Sequence, residues 1–217
     1  LFRSSAASDV YKRQIRRSRL RERVVSSGPE MMPKHISMIV DGNRRFAWGR
    51  SLQTEAGHSA GKQKLKEVMR WILDLEIPYL TVYALSTENL SSRDDTELET
   101  LFDLYVSGLE EISQDPLIHD NKVRVQVVGR KELLPDRVRD AIKKAEDATS
   151  QYSDFLFTVC LAYGGREEIV DAVKEIAEAH ASGTIELDSI DPSTISNRLY
   201  TADSVSYTHL RAHETGY

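Results

Sequence analysis

Residues 35–46 read His-Ile-Ser-Met-Ile-Val-Asp-Gly-Asn-Arg-Arg-Phe, and this stretch decides the fold class. The apolar run over residues 36–40 is short and stops at Asp41-Gly42-Asn43, a sequence typical of a turn. Because such a run is too short for most helices, it predicts a buried β-strand that enters a turn.

Outward from this strand, helix-like and strand-like segments alternate along the chain. Apolar residues at helical spacing predict helices over residues 57–75, 94–112, 135–149, 165–181 and 192–199. Runs rich in β-branched and aromatic residues predict strands over residues 79–85, 122–128 and 155–162, and the alternating pattern of 122–128 indicates a strand near an edge. The alternation predicts an α/β class protein: a single domain with a mostly parallel central sheet flanked by helices.

The composition is that of a globular protein. The 217 residues are 40% apolar and 29% charged, and the net charge is −5. No apolar run is long enough to span a membrane, and no signal peptide is evident, so we expect a cytoplasmic protein. Cys160 is the only cysteine, which excludes an intramolecular disulfide. Its apolar neighbours favour a buried core position over a reactive thiol.

The charge is unevenly distributed. Residues 10–25 carry seven basic residues against one acidic residue, which leaves the rest of the chain acidic. We therefore expect no nucleic-acid binding by the domain. A basic N-terminal arm over residues 15–32 could contact an anionic membrane peripherally or remain solvated. Residues 1–14 and 204–217 have no periodic apolar pattern, and we interpret both as non-native tails around a domain at residues 33–203.

Polar motifs follow three of the predicted strands, where ligands bind in parallel α/β sheets. In the first motif, Asp41 leaves a buried strand, Gly42 permits a tight turn, and Arg44 and Arg45 follow. A carboxylate beside arginines suits Mg²⁺ and phosphate groups. The alternative is an ordinary β-turn with solvated arginines.

The other motifs are also ambiguous when taken singly. Residues 57–62 (Gly-His-Ser-Ala-Gly-Lys) could open a helix that binds an anion, or they could be a glycine-flanked helix start with a surface histidine. Residues 86–89 (Ser-Thr-Glu-Asn) could cap a helix or orient a substrate. Residues 163–166 (Tyr-Gly-Gly-Arg) are typical of a tightly packed strand-to-helix connection.

Together and in this order, the four motifs resemble those of the cis-prenyltransferase (undecaprenyl diphosphate synthase) family, with archaeal-like detail. The resemblance covers residues 33–203. It implies a Mg²⁺-dependent enzyme that adds isopentenyl diphosphate units to an allylic diphosphate with cis geometry, giving a long-chain polyprenyl diphosphate. It also implies a homodimer at full length and a product that contacts membranes.

The resemblance further implies roles for individual residues. Asp41 matches the catalytic, Mg²⁺-associated aspartate, and Asn89 matches a residue that assists proton transfer. The residues that would bind substrate are Gly42, Asn43, Arg44, Arg45, Phe46, His58, Ser86, Thr87 and Glu88.

The chain also departs from the family pattern. Ser92 stands where an arginine is usual, and Thr54 replaces another arginine, so Arg93 or Arg44 could supply the missing charge. The family's R-x-x-x-x-R-x-S segment, which holds isopentenyl diphosphate, is absent. We therefore expect a domain that is incomplete at its C-terminal end and inactive as it stands. The alternatives are a non-catalytic partner subunit and an unrelated α/β phosphate-binding domain, and the latter would have no elongated apolar cavity beside Asp41.

Overall fold

A computed structural model describes Ser26, Gly28 and residues 32–202 of the chain. A four-stranded sheet with the order β1-β2-β4-β3 forms its centre, and every neighbouring pair is parallel. The strands are β1 (His35–Ile39), β2 (Tyr79–Tyr83), β3 (Val123–Val128) and β4 (Phe155–Cys160). The predicted α/β class is confirmed, and β3 lies at an edge of the described sheet as its alternating pattern indicated.

Helices connect the strands and cover the sheet. Those among the described residues are α1 (Asn43–Trp48), α2 (Thr54–Asp74), α3 (Thr87–Ser92), α4 (Asp95–Ile112), α5 (Pro116–Asp120), α6 (Asp136–Thr149), α7 (Gly165–Ala181) and α8 (Pro192–Ser196). Two 3₁₀ turns, Lys131–Leu133 and Leu187–Ser189, complete the connections.

The core lies where the helices pack on the central strands. Leu80 and Val82 of β2 and Phe157 of β4 are almost fully buried, because these strands have a neighbour on each side and helices above them. Cys160 is also fully buried, and this burial raises the pKa of its thiol to about 12. The interpretation of Cys160 as a core residue is therefore confirmed.

The structure corrects several predicted boundaries. The turn expected after Asp41 is helix α1, which is too short to leave a periodic pattern. Helix α2 begins at Thr54 rather than at Gly57. The predicted strand over residues 155–162 ends at Cys160, because Ala162 has a left-handed φ of 48° that ends the extended backbone.

Two further helix ends differ from their predictions. Pro135 is the N-cap of α6 rather than part of its first turn, and α8 ends at Ser196 rather than at Leu199. The expected cap of α8 is confirmed, because Asp191 and Thr194 form a reciprocal capping box. Residues 1–14, 204–217 and most of 15–32 lie outside the described residues, so the expectations about them stay predictions.

Helix α2 ends in a Schellman motif in which Glu76, rather than a glycine, occupies the left-handed position. Glu76 N–H donates to the carbonyl of Leu73, and Ile77 N–H donates to the carbonyl of Ile72. Glu76 consequently adopts a left-handed φ of 56°, a conformation in which a side chain other than glycine is strained.

We expect Glu76→Gly to raise the free energy of unfolding by about 0.5–1 kcal/mol, because glycine relieves this strain while the exposed side chain packs against little. Chemical denaturation followed by circular dichroism measures the change. Glu76→Ala is the control, since it removes the carboxylate and keeps the strain. Equal effects of the two substitutions would contradict the explanation.

Candidate active site

A deep cleft opens at the carboxyl ends of β1, β2 and β4 and encloses a cavity of about 690 Å³. Its mouth is polar. The predicted site residues that line it are Asp41, Gly42, Asn43, Arg44, Arg45, His58, Ser86, Glu88 and Asn89. Its interior is apolar, with lining residues that include Leu65, Met69, Val82, Leu85, Leu101, Leu104, Ile112, Ile118 and Phe157. The cleft can therefore hold a molecule with an anionic head and a hydrocarbon tail.

Asp41 stands at the entrance to this cleft. Its Oδ1 accepts a hydrogen bond of 2.6 Å from the Gly42 N–H, and its Oδ2 lies 3.0 Å from Arg45 Nη2. Gly42 adopts a left-handed φ of 89° at the N-cap of α1, which directs the chain from the strand into the helix. The Asp41 side chain remains 65% exposed, so its carboxylate is accessible to a ligand.

The glycines of residues 57–62 bring α2 against the first motif. A Cβ atom on Gly57 would lie 2.2 Å from the Asn43 carbonyl oxygen, and one on Gly61 would lie 2.6 Å from Asn43 Oδ1. The motif does not open the helix under either alternative, because α2 has already begun at Thr54, and His58 is buried rather than a surface histidine. These glycines permit close packing, and that packing places His58 in the wall of the cleft.

One carboxylate organises the cationic side of the mouth. Glu97, in the first turn of α4, forms an ion pair with Arg93 and lies 3.4 Å from Arg44 Nη1 and 3.5 Å from His58 Nε2. Its side chain is only 11% exposed. Glu97 was not among the predicted site residues, although its position four residues after Arg93 was an available signal.

Ser86 and Asn89 lie together at the end of β2. Ser86 Oγ accepts a hydrogen bond of 3.1 Å from the Asn89 N–H and so caps α3, which confirms the capping interpretation. Both residues also line the cleft, so capping and substrate orientation do not exclude each other here.

Two predicted site residues are not part of the cleft wall. Phe46 is 39% exposed and stacks under the Arg50 guanidinium, 4.2 Å from the ring centroid. Thr87 contacts the connection after β4, where a Cβ on Gly164 would lie 2.8 Å from Thr87 Oγ1. Gly164 therefore permits close packing, as the sequence indicated, whereas a Cβ on Gly165 would meet only Tyr163 Oη, at 3.9 Å.

The connection after β4 also contributes Tyr163 to the cleft. Its hydroxyl donates a hydrogen bond of 2.6 Å to Glu168 Oε2, and burial together with this carboxylate raises the pKa of Tyr163. Glu168 is 5% exposed, and its Oε1 has no hydrogen-bond partner among the described residues.

Comparisons with known proteins agree with this arrangement. A family model described as "Putative undecaprenyl diphosphate synthase" matches residues 39–210. The chain belongs to this cis-prenyltransferase family.

Curated archaeal relatives of the family are closely similar in sequence. The chain is 47% identical over 185 residues to a tritrans,polycis-undecaprenyl-diphosphate synthase (geranylgeranyl-diphosphate specific) of Methanopyrus kandleri, covering 85% of the chain and 67% of that protein. A protein of the same name from Pyrococcus horikoshii is 44% identical over 194 residues, covering 89% and 70%. The chain thus spans about two thirds of the length of these relatives.

Solved structures share the fold. Lavandulyl diphosphate synthase from Lavandula x intermedia, in complex with dimethylallyl diphosphate, superposes with a TM-score of 0.75 at 31% identity, covering 79% of this chain and 72% of that one. A probable undecaprenyl diphosphate synthase from Campylobacter jejuni gives a TM-score of 0.60 at 25% identity, covering 76% and 68%.

The cis-prenyltransferase pattern has two arginines that are absent from this chain, where Ser92 and Thr54 stand. The structure shows which other arginines lie nearby. Arg93, one residue beyond Ser92, lines the cleft with a side chain 14% exposed and paired with Glu97. A guanidinium group therefore reaches the cleft despite the serine at position 92. Thr54 is the first residue of α2 and does not line the cleft, whereas Arg44 does.

No group of three or more His, Cys, Asp or Glu residues in the described part of the chain could hold a metal ion. Mg²⁺ commonly binds to one or two carboxylates and completes its coordination with waters and substrate phosphates. The exposed carboxylate of Asp41 fits such a shared site. Within the described residues, no helix is both long and apolar enough to cross a bilayer.

The surroundings of His58 favour its neutral form. Burial lowers the pKa of His58, and the carboxylate of Glu97, 3.5 Å from Nε2, partly offsets this effect. Because the folded state takes up the proton at lower pH than the unfolded state, the stability that depends on His58 falls as pH decreases through about 6.5. At neutral pH, His58 can therefore offer an uncharged N–H donor to a ligand.

We expect Glu97→Gln to lower the pKa of His58 further, because the carboxylate is lost while Arg44 and Arg93 stay nearby. An NMR titration of the His58 ring measures the pKa. Glu99→Gln on the same helix is the matched control, since Glu99 is paired with Arg137 away from the cleft. An unchanged or higher His58 pKa in the Glu97 variant would show that Glu97 does not stabilise the imidazolium.

Proposed function

We propose that this chain binds an allylic diphosphate and, in its complete catalytic form, transfers the allylic group to isopentenyl diphosphate with cis geometry. The observation that carries the proposal is the single cleft in which a cationic mouth opens into an apolar cavity of about 690 Å³. An allylic diphosphate has a polar head and a hydrocarbon tail that match these two regions. The names of the archaeal relatives favour geranylgeranyl diphosphate as the starter.

The cationic side chains would stabilise the leaving diphosphate. In the transfer, the C–O bond of the allylic diphosphate breaks and a C–C bond to isopentenyl diphosphate forms. A proton leaves the isopentenyl unit, and inorganic diphosphate is released. Arg44 and Arg45 would bind the negative charge that develops on the leaving group, and His58 would donate a hydrogen bond to it. Asn89 lines the same cleft, where the family resemblance assigns it to proton transfer.

Asp41 has two interactions that suit a role at the diphosphate. Its carboxylate would hold Mg²⁺ together with the substrate, and the bound ion would neutralise charge on the diphosphate. Its contact with Arg45 positions that guanidinium at the same entrance. Asp41 would thereby link the metal ion to Arg45.

Two alternatives are less consistent with these observations. An unrelated phosphate-binding domain is excluded by the family match, and the apolar cavity is the feature that such a domain was expected to lack. A non-catalytic partner subunit would not require Asp41, Gly42 and Asn43, which are all present at the mouth. Homodimer formation and peripheral membrane contact through residues 15–32 stay predictions.

We expect this chain to bind geranylgeranyl diphosphate in the presence of Mg²⁺, and Asp41→Ala to weaken binding about tenfold, the effect of losing roughly 1.4 kcal/mol. Isothermal titration calorimetry measures both affinities. Asp140→Ala, an exposed carboxylate on α6, is the matched control. Equal affinity in the two variants would contradict a role for Asp41 at the diphosphate.

Turnover is tested in a separate experiment. The 217 residues contain no R-x-x-x-x-R-x-S sequence to hold isopentenyl diphosphate. We therefore expect incorporation of radiolabelled isopentenyl diphosphate at least about 100-fold below that of the Methanopyrus kandleri relative, because positioning contacts are lost. Comparable incorporation by both proteins would show that this segment is dispensable for activity.

A further inference from the structure

The turn that follows the first motif is exposed beside the mouth of the cleft. Among residues 44–53, only Ala47 is buried. Three large apolar side chains in this turn are exposed instead, with exposed fractions of 39% for Phe46, 64% for Trp48 and 45% for Leu52. Exposed apolar side chains that cluster in this way mark an interaction surface. We call Phe46, Trp48, Arg50 and Leu52 the mouth patch.

The backbone of this turn keeps the mouth patch together. Helix α1 ends at Trp48, and Ser51 then adopts a left-handed φ of 54°, which reverses the chain. The Leu52 N–H consequently donates a hydrogen bond of 2.9 Å to the Ala47 carbonyl. Because Leu52 returns to the end of α1, the apolar side chains belong to one compact turn rather than to an extended segment.

The same turn is basic as well as apolar. Residues 44–54 contain three arginines and no acidic residue. Two of these arginines have carboxylate partners at the mouth. The third, Arg50, is exposed and forms no ion pair with another residue in the described part of the chain, and its guanidinium carbon lies 4.2 Å from the centroid of the Phe46 ring. A charge without an acidic partner is therefore held over an exposed aromatic ring.

The position of the mouth patch relates it to the cleft. Trp48 lines the cleft together with Arg44 and Arg45, so a surface that covers the mouth patch also faces the open mouth. An anionic bilayer offers lipid phosphates to Arg50 and an interface between water and hydrocarbon to the aromatic side chains. Tryptophan and arginine both suit that interface, because each combines an apolar body with a polar end.

A second copy of the chain is a poorer occupant of this surface. Symmetric dimers place the same surface of each subunit against the other. Such a contact would bring two arginine-rich turns together with no acidic residue from either turn between them. The mouth patch therefore fits an anionic lipid surface better than it fits itself.

We propose that the mouth patch docks this chain on anionic lipid bilayers, with Trp48 and Leu52 entering the interface and Arg50 binding lipid phosphate. The proposal goes beyond the proposed function and stands without it, because docking requires neither a prenyl substrate nor turnover. It names a surface distinct from residues 15–32, whose contact with membranes was expected from their basic charge alone.

The two tryptophans of the chain provide a site-specific test. Trp48 lies in the mouth patch, whereas Trp71 lies about 25 Å along α2 from Thr54, at a rise of 1.5 Å per residue. Trp71→Phe leaves Trp48 as the fluorophore, and Trp48→Phe leaves Trp71. Each variant is mixed with vesicles of equal parts phosphatidylcholine and phosphatidylglycerol whose acyl chains carry bromine near the headgroup. We expect bromine to quench Trp48 by at least about half and to leave Trp71 unchanged, since only a ring at the interface contacts the quencher.

Two substitutions outside the cleft wall test the individual contacts. In the Trp71→Phe background, Arg50→Gln and Leu52→Ser should each weaken vesicle binding about fivefold, because one removes a phosphate ligand and the other an inserted apolar side chain. Lys122→Gln is the matched control for charge, since Lys122 precedes β3 at the edge of the sheet opposite the cleft. Its binding should equal that of the parent, and circular dichroism establishes that every variant folds.

Four outcomes would overturn the proposal. Absence of vesicle binding would exclude docking altogether. Binding without quenching of Trp48 would assign the contact to another part of the chain, such as residues 15–32. Equal losses in the Lys122 and Arg50 variants would reduce the effect to one of general charge. Trp48 emission that is shielded from solvent without vesicles, and is not quenched by them, would indicate a protein partner on the mouth patch.

Discussion

The polar mouth of the cleft depends on the contacts of Glu97. This carboxylate comes from the first turn of α4, yet it pairs with Arg44 of α1 and faces His58 of α2. It also pairs with Arg93, which follows α3. Three regions that are distant in sequence, at Arg44, at His58 and at residues 93–97, are therefore held at one point. Without the carboxylate, the neighbouring guanidinium groups would repel one another in a half-buried position, and Arg44, Arg93 and His58 would lose their common orientation.

The close packing of α2 against α1 supports the arrangement that the ion pairs of Glu97 hold together. Because Gly57 and Gly61 have no side chains, α2 approaches Asn43 closely enough to fix α1 beside it. That approach sets the distance between Arg44 and His58 across the mouth. The same helix continues along the cavity, where Lys62 and Lys66 meet Glu111. One helix thus lines both the polar mouth of the cleft and the apolar cavity behind it.

The sequence predicted the long elements and the order of the motifs, because both leave regular patterns. The strands around Leu80 and Phe157 are runs rich in apolar, β-branched and aromatic residues, and α4 has a clear apolar face. Helix α1 was missed because six residues are too few to show a period. The role of Gly57 was misassigned because its partner, Asn43, is distant in sequence and close only in the fold. Glu97 was missed for the same reason in part, since its contacts with Arg44 and His58 join segments distant in sequence, while its contact with Arg93 is local.

The central claim is that one ligand places its diphosphate at the cationic mouth and its tail between α2 and α4. A crystal structure of the chain with a non-hydrolysable thio analogue of geranylgeranyl diphosphate tests this claim most directly. The account predicts phosphate oxygens within hydrogen-bond distance of Arg44, Arg45 or His58, and a tail in contact with Leu65 and Ile112. A diphosphate bound away from these side chains, or a tail lying outside the cavity, would contradict it.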